Sequence, residues 1–149
     1  MNKGFTLIEL IIVIIITSVL AGIISFAVVK YLNSGRDAGI AGNLAILVPA
    51  GEAYYNSNNS SYTGFCSSEV VNNSKRQMPV NPEGSCYNSA TNLSGVCCVE
   101  ADDQWVACAK NFANPDTAFC VDSRGYKRKI DISQCTSTIM PLRCPTSGL

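Results

Sequence analysis

The first part of the chain is dominated by one uninterrupted apolar run. Residues 5–29 are 25 residues whose only charged side chain is Glu9. As a helix this run would extend roughly 37 Å, which exceeds the bilayer hydrocarbon core of about 30 Å. The pattern therefore predicts a membrane-spanning helix. Lys3 precedes the run, so we expect the N-terminus on the cytoplasmic side and the remainder outside.

Beyond residue 30 the apolar positions become one-sided. They recur at spacings of three, four and seven, at Ile40, Leu44, Leu47, Val48, Tyr54 and Tyr55. This period predicts that the helix continues with one face against a core, so that it spans residues 5–55 and is apolar all round at 5–29. Arg36 and Asp37 are adjacent and cannot pair around one turn, and we predict that both are solvated.

Residues 56–149 are richer in Ser, Asn and Gly and are predicted to form a separate head domain. Short apolar segments bounded by turn residues predict four strands, at residues 96–100, 104–110, 117–122 and 126–132. The short turns between them predict an antiparallel meander packed on the lower half of the helix. Residues 63–93 show poor periodicity and contain Pro79 and Pro82, which predicts a loop. The predicted fold class is α+β.

The cysteines add disulfide-stapled loops to this picture of the head. All eight lie in its polar sequence: Cys66, Cys86, Cys97, Cys98, Cys108, Cys120, Cys135 and Cys144. An even number in so short a region indicates disulfides formed in an oxidising compartment, which agrees with the predicted topology. The spacing does not choose among the many pairings. Cys97 and Cys98 would point to opposite faces of a strand, so we expect them to have different partners.

Charge and composition argue against catalytic chemistry. The chain has 11 basic and 11 acidic residues and no His, the commonest general base and metal ligand. We therefore predict neither an enzyme nor a metal or cofactor site. The run Lys127-Arg128-Lys129 could contact DNA or an acidic surface, but a solvated strand face is favoured, so a nucleic-acid partner is unsupported.

Glu9 distinguishes between three interpretations of the apolar run. A cleaved secretory signal ending at Ala21 would leave a secreted, disulfide-rich binding domain, but signal cores rarely tolerate an acid. A permanent anchor would leave the cost of placing Glu9 in hydrocarbon without a compensating partner. The third interpretation gives the carboxylate a function.

The motif GFTLIEL at residues 4–10 resembles the N-terminal signature of type IV pilins and pseudopilins. The resemblance implies that residues 1–4 form a leader, which a prepilin peptidase removes by cleavage between Gly4 and Phe5. It also implies N-methylation of Phe5 and retention of the apolar helix. Glu9 would then pair with the new amine of Phe5, on its own subunit or on a neighbour, and set the register of stacked subunits.

The resemblance further implies a structural subunit of a helical filament, built from copies of this chain, that serves adhesion, twitching motility or DNA uptake. A minor pilin and a type II secretion pseudopilin are the alternatives within the class. The partners would be the prepilin peptidase, the pilus assembly machinery and, before assembly, the inner membrane. The precursor would be a single-pass membrane protein and the assembled subunit extracellular. Likeness to the C-terminal disulfide loop of pilins implies a Cys135–Cys144 bridge.

Overall fold

One helix of 51 residues, α1 (Leu7–Ser57), carries the rest of the fold. The computed structural model of the chain describes residues 6–82, 84, 86–87, 95–137 and 142–146. The helix begins at an N-cap, Thr6, and continues through Pro49. It ends in a run of Asn and Ser at residues 56–61, where Asn59 and Ser60 adopt positive φ angles of 51° and 57°, a conformation that does not continue a right-handed helix.

The head contains a four-stranded antiparallel sheet and one short helix. In chain order the elements are α2 (Glu69–Gln77), β1 (Val96–Glu100), β2 (Trp105–Lys110), β3 (Thr117–Asp122) and β4 (Lys127–Asp131). The strand order is β1-β2-β3-β4, which is a meander. The α+β class is therefore confirmed. β1 and β3 have the predicted bounds, β2 begins one residue later than predicted, and β4 is one residue shorter than predicted at each end.

A first core lies between α1 and the inner face of the sheet. Ile40, Leu44 and Leu47 are completely buried there, as their helical spacing predicted. They pack in one cluster with Phe65 and Trp105. The side chains of β2 alternate, so that Trp105, Ala107 and Ala109 belong to this core while Val106 and Cys108 belong to the other face.

A second, smaller core covers the outer face of the sheet, away from α1. It gathers Cys97, Cys108 and Cys120 from three adjacent strands with Ile130 of β4. The register places Cys97 opposite Cys108 and Cys108 opposite Cys120. The chain after β4 supplies the cover for this face, through Cys135, Leu142 and Cys144. Disulfides therefore replace much of the apolar volume that a larger domain would bury here.

The disulfides correct one prediction and confirm another. The bridges are Cys66–Cys98, Cys86–Cys97, Cys108–Cys135 and Cys120–Cys144. The predicted Cys135–Cys144 bridge is wrong, because each of these two cysteines reaches a different strand on the outer face of the sheet. The expectation that adjacent Cys97 and Cys98 have different partners is confirmed.

The loop predicted over residues 63–93 is wrong in its first part. A 3-10 turn at Phe65–Ser67 leads into α2, which packs on α1 through buried Val71 and Ser74. The hydroxyl of Ser74 donates to the carbonyl of Asn43 at 2.9 Å. The remaining part, residues 78–93, lies partly outside the described residues.

At Gly51 helix α1 lies close to Trp105 of the sheet, and Gly51→Ala tests the packing of the head. A Cβ atom at this position would lie 2.6 Å from Nε1 of Trp105, whose indole is completely buried. We expect Gly51→Ala to lower the free energy of unfolding by about 1–3 kcal/mol, because the rigid ring has no room to move away. Denaturant unfolding of the detergent-solubilised chain, followed by Trp105 fluorescence, measures this change.

Gly39→Ala is the matched control, since no atom lies within 4 Å of a Cβ built at Gly39 in the same helix. There the better helix propensity of Ala should leave the protein equally stable or more stable, by up to about 1 kcal/mol. Equal destabilisation by both substitutions would contradict the close approach of α1 to Trp105.

Candidate processing and assembly segment

The first turn of α1 holds the carboxylate of Glu9 in a capping box. The backbone N–H and the hydroxyl of Thr6 both donate to Oε2 of Glu9 at 2.8 Å, and the N–H of Glu9 donates to Oγ1 of Thr6 at 3.4 Å. The acid therefore satisfies donors at the N-terminal end of the helix, where the helix dipole also favours negative charge. No role was predicted for Thr6, although Thr-x-x-Glu before an apolar run is a recognisable capping signal. Gly4 and Phe5 lie outside the described residues.

The upper half of α1 presents its apolar side chains outward. The large ones are between 40% and 80% exposed: Leu7, Ile8, Leu10, Ile11, Ile12, Val13, Ile14, Ile15, Ile16, Val19, Leu20, Ile23, Ile24, Val28, Val29, Tyr31 and Leu32. By length and composition α1 can cross a membrane, and the apolar stretch that qualifies it is unburied within the chain. An apolar surface of this size requires lipid or other apolar helices around it. The segment suits a membrane-anchored precursor.

The hydroxyl groups within the apolar segment are satisfied by the helix itself. Thr17 donates to the carbonyl of Val13 at 2.9 Å and Ser18 to that of Ile15 at 2.8 Å. Ser25 donates to the carbonyl of Ala21 at 2.7 Å. These side chains therefore bring no unpaired donor into a lipid or protein environment. Glu9 is the one charged group of the apolar run, so the need for an external partner falls on it.

The head is attached to α1 shortly after the apolar run, at Arg36 and Asp37. The carboxylate of Asp37 accepts hydrogen bonds from the backbone N–H groups of Phe112 at 2.5 Å and Ala113 at 3.2 Å. The guanidinium of Arg36 lies 5.1 Å from the centre of the Phe112 ring. The prediction that both charges are solvated is therefore wrong for Asp37, which is partly buried and binds the loop between β2 and β3. Arg36 is exposed, as predicted, and its guanidinium contacts the same loop. The sequence gives little warning, since these partners are 75 and 76 residues away.

The other end of the head is fixed to the C-terminal turns of α1. The hydroxyl of Tyr62 donates to Oε1 of Glu52 at 3.0 Å, and the Tyr62 ring lies 4.7 Å from that of Tyr55, centre to centre. Burial, reinforced by the bond to Glu52, raises the pKa of Tyr62 to about 12. The phenol therefore remains a donor at any physiological pH, and the helix is held against the head at both ends of its lower half.

A buried carboxylate, Asp122, organises the turn between β3 and β4. The guanidinium of Arg124 lies 2.6 Å from its Oδ2. Backbone N–H groups of Arg124 and Tyr126 donate to Oδ1 at 3.0 and 3.3 Å, and that of Cys144 donates to Oδ2 at 3.0 Å. Because the charge is compensated by several donors, it can be buried, and it ties the segment around Cys144 to the hairpin.

The basic run of β4 occupies the edge of the sheet. Lys127 and Lys129 are exposed, whereas Arg128 donates to the carbonyls of Pro145 and Thr146, the former at 3.0 Å. The guanidinium groups of Arg124 and Arg128 both lie over the ring of Tyr126. Charged side chains on an edge strand discourage pairing with strands of other molecules. This arrangement is consistent with the favoured interpretation of a solvated strand face.

One group of sulfur atoms has the proximity of metal ligands. Among the described residues, the Sγ atoms of Cys97, Cys108 and Cys135 lie within 4.8 Å of one another. All three are oxidised in disulfides. The thiolate is the form that binds metals, so the oxidised head offers no thiolate at this place.

Comparison with known proteins agrees with the motif at the N-terminus. Residues 1–25 match the family model described as the prokaryotic N-terminal methylation motif, the type IV prepilin-like signature. No curated protein and no solved structure gave a significant match. The motif supports a type IV pilin-like or pseudopilin protein, a class that is structural rather than catalytic and that is processed by a prepilin peptidase.

Proposed function

We propose that this chain is a filament subunit that a prepilin peptidase cleaves between Gly4 and Phe5 and that polymerises through α1. The observation that supports the proposal most strongly is that the methylation motif lies on a helix whose apolar half is unburied within its own chain. Burying each large apolar side chain between neighbouring helices contributes about 1.5–3 kcal/mol before entropy costs. Hydrophobic contact therefore drives association, and the charged groups set its geometry.

Glu9 is proposed to set the axial register of the subunits. Thr6 holds Oε2 through two hydrogen bonds, which orients the carboxylate at the start of the helix. Cleavage after Gly4 would create an amine on Phe5, the residue that is proposed to be methylated. In a water-poor filament core the carboxylate is fully compensated only where such an amine lies next to it, and this selects one axial offset between neighbours.

The proposed organisation follows the chain. Residues 1–4 would be the leader, residues 5–55 the predicted helix, and residues 56–149 the disulfide-linked head. The precursor would have its N-terminus in the cytoplasm and its head outside, where disulfides form. Assembly would then require the pilus assembly machinery to move α1 out of the inner membrane and into an extracellular filament of identical subunits.

Within the class, the main subunit of a filament for adhesion, twitching motility or DNA uptake is our first proposal. A minor pilin or a type II secretion pseudopilin is the alternative. Glu9 favours a position along the shaft, because a subunit that must stack above and below others needs a register contact on each interface. A cleaved, secreted binding domain is less consistent with the match of residues 1–25 to the prokaryotic N-terminal methylation motif.

Imaging of sheared filaments from producing cells tests the proposal. We expect cryo-electron microscopy to show a helical filament with α1 at its centre, and antibodies to the head to label its whole length. Sparse labelling, confined to few positions, would favour a minor subunit. Recovery of the head only as a soluble secreted monomer would contradict the proposal.

A further inference from the structure

Two of the four disulfides lie side by side on the outer face of the sheet. Cys86–Cys97 joins the segment before β1 to β1, and Cys108–Cys135 joins β2 to the segment after β4. The Sγ atoms of Cys97, Cys108 and Cys135 are all within 4.8 Å of one another, and Cys86 is bonded to the first of them. We refer to Cys86, Cys97, Cys108 and Cys135 as the four-sulfur cluster.

The backbone around the four-sulfur cluster also permits a second pairing. Cys97 and Cys108 are directly opposite in the register of β1 and β2. Opposite residues of antiparallel strands have Cα atoms about 4.5 or 5.5 Å apart, within the range of about 4.4–6.8 Å that a disulfide spans. Cys86 and Cys135 are neighbours as well, since the N–H of Tyr87 donates to the carbonyl of Cys135 at 3.0 Å and Tyr87 forms a β-bridge with Thr136.

The four cysteines of the four-sulfur cluster differ in exposure, and Cys86 is the most exposed of them. Cys97 is 2% exposed, and Cys108 and Cys135 are completely buried. Cys86 is partly exposed. An external thiolate must approach the sulfur that it attacks, so it would attack Cys86 and release Cys97 as the leaving thiolate. The released thiolate then lies beside the Cys108–Cys135 disulfide.

We propose that the four-sulfur cluster is a thiol–disulfide exchange site at which an external thiol catalyses exchange between the two disulfides. Attack by the thiolate RS⁻ on Cys86 forms a Cys86–S–S–R bond and frees the thiolate of Cys97. Cys97 attacks Cys108, which forms Cys97–Cys108 and releases the thiolate of Cys135. Cys135 attacks Cys86 of the mixed disulfide, forms Cys86–Cys135 and regenerates RS⁻. No net oxidation or reduction occurs, and the external thiol acts as a catalyst that interconverts two disulfide isomers of the head.

The neighbouring Cys66–Cys98 bridge provides an internal comparison. Cys98 follows Cys97 in β1, but its side chain packs with the inner core, on the opposite face of the sheet. A thiolate freed at Cys98 is therefore separated from the four-sulfur cluster by the sheet itself. Exchange should be a property of Cys97 and not of Cys98. This inference is independent of the proposed role of the chain in a filament.

Single substitutions test the exchange on the full-length protein in detergent. Cys86→Ser leaves Cys97 without its partner, and the matched control Cys66→Ser leaves Cys98 without its partner. Each variant is incubated at pH 8, and exchange is then stopped with acid. The denatured protein is alkylated at the same low pH, so that only free thiols are labelled. Mass spectrometry then maps the labelled and the disulfide-linked peptides. In Cys86→Ser we expect label on Cys135 comparable with that on Cys97, because attack of Cys97 on Cys108 releases Cys135. In Cys66→Ser we expect label on Cys98 alone.

Label confined to Cys97 in the Cys86→Ser variant, with Cys108–Cys135 intact, would overturn the proposal. Should that variant fail to fold, wild-type protein treated with a catalytic amount of glutathione tests the same proposal. There we expect Cys97–Cys108 and Cys86–Cys135 peptides to appear without a lasting gain in free thiols. An unchanged disulfide map, or loss of disulfides without the new pairs, would contradict exchange.

Discussion

Replacing Glu9 with Ala should leave membrane insertion of the precursor intact and reduce the yield of assembled filaments by about tenfold or more. The substitution removes a charge from an otherwise apolar segment, so insertion becomes no harder. It also removes the carboxylate that we propose to pair with the amine of Phe5 on a stacked subunit. The measurement compares sheared filament protein with total membrane-associated protein by quantitative immunoblotting.

Glu9→Gln is the informative control, because it separates charge from helix capping. Gln can still accept the hydrogen bonds that Thr6 donates to Oε2, so the first turn of α1 is preserved. The neutral amide cannot compensate an ammonium group. We therefore expect Glu9→Gln to assemble as poorly as Glu9→Ala. Normal filament yield in Glu9→Gln would show that capping suffices and would contradict the proposed charge pairing.

Replacing Gly4 with Leu should stop processing, with uncleaved precursor accumulating in the membrane and filaments lost. The proposed peptidase acts on the bond between Gly4 and Phe5, and the substitution places a bulky side chain directly beside that bond. Without cleavage the amine of Phe5 remains in a peptide bond and cannot meet Glu9. Intact-mass measurement of the accumulated protein distinguishes precursor from mature chain.

Gly22→Leu is the matched control for this second prediction. Gly22 lies within α1, and no atom lies within 4 Å of a Cβ built there, so the chain itself tolerates the larger side chain. It also follows Ala21, the cleavage position expected of a secretory signal. We expect normal processing in Gly22→Leu. Blocked processing in this variant and normal processing in Gly4→Leu would favour the secretory interpretation.

Local patterns in the sequence were sufficient to predict most of the fold. The spacing of Ile40, Leu44 and Leu47 identified the buried face of α1, because a helix exposes every third or fourth residue on one side. The turn residues between the strands predicted the meander, because strands joined by short turns pair with each other in antiparallel orientation. These elements depend on contacts between residues that are close in sequence.

Helix α2 escaped prediction because its sequence, EVVNNSKRQ, is polar and five of its nine residues, VVNNS, are poor helix formers. The available signal was electrostatic: Glu69 lies in its first turn and Lys75 and Arg76 in its last, which complements the helix dipole. Its stability depends on packing against α1 through Val71 and Ser74. A helix of nine residues is too short for its pattern of apolar and polar positions to reveal such tertiary contacts.

The long-range polar contacts could not be predicted at all. Asp37 binds backbone N–H groups of Phe112 and Ala113, and any residue type except Pro would present the same donors there. The disulfide pairing could not be predicted either, because it depends on which strands the chain after β4 passes over. For the assembly segment, the motif identified Glu9, whereas the capping role of Thr6 became evident from the first turn of α1.

The identity of the mature N-terminal residue tests the central claim most directly. Intact and tandem mass spectrometry of chain purified from producing cells should find a polypeptide that begins at Phe5 with a methylated α-amine and retains the whole of α1. A mature chain that begins at Gly22 would contradict the account, because it would lack both Glu9 and the apolar surface through which subunits are proposed to assemble.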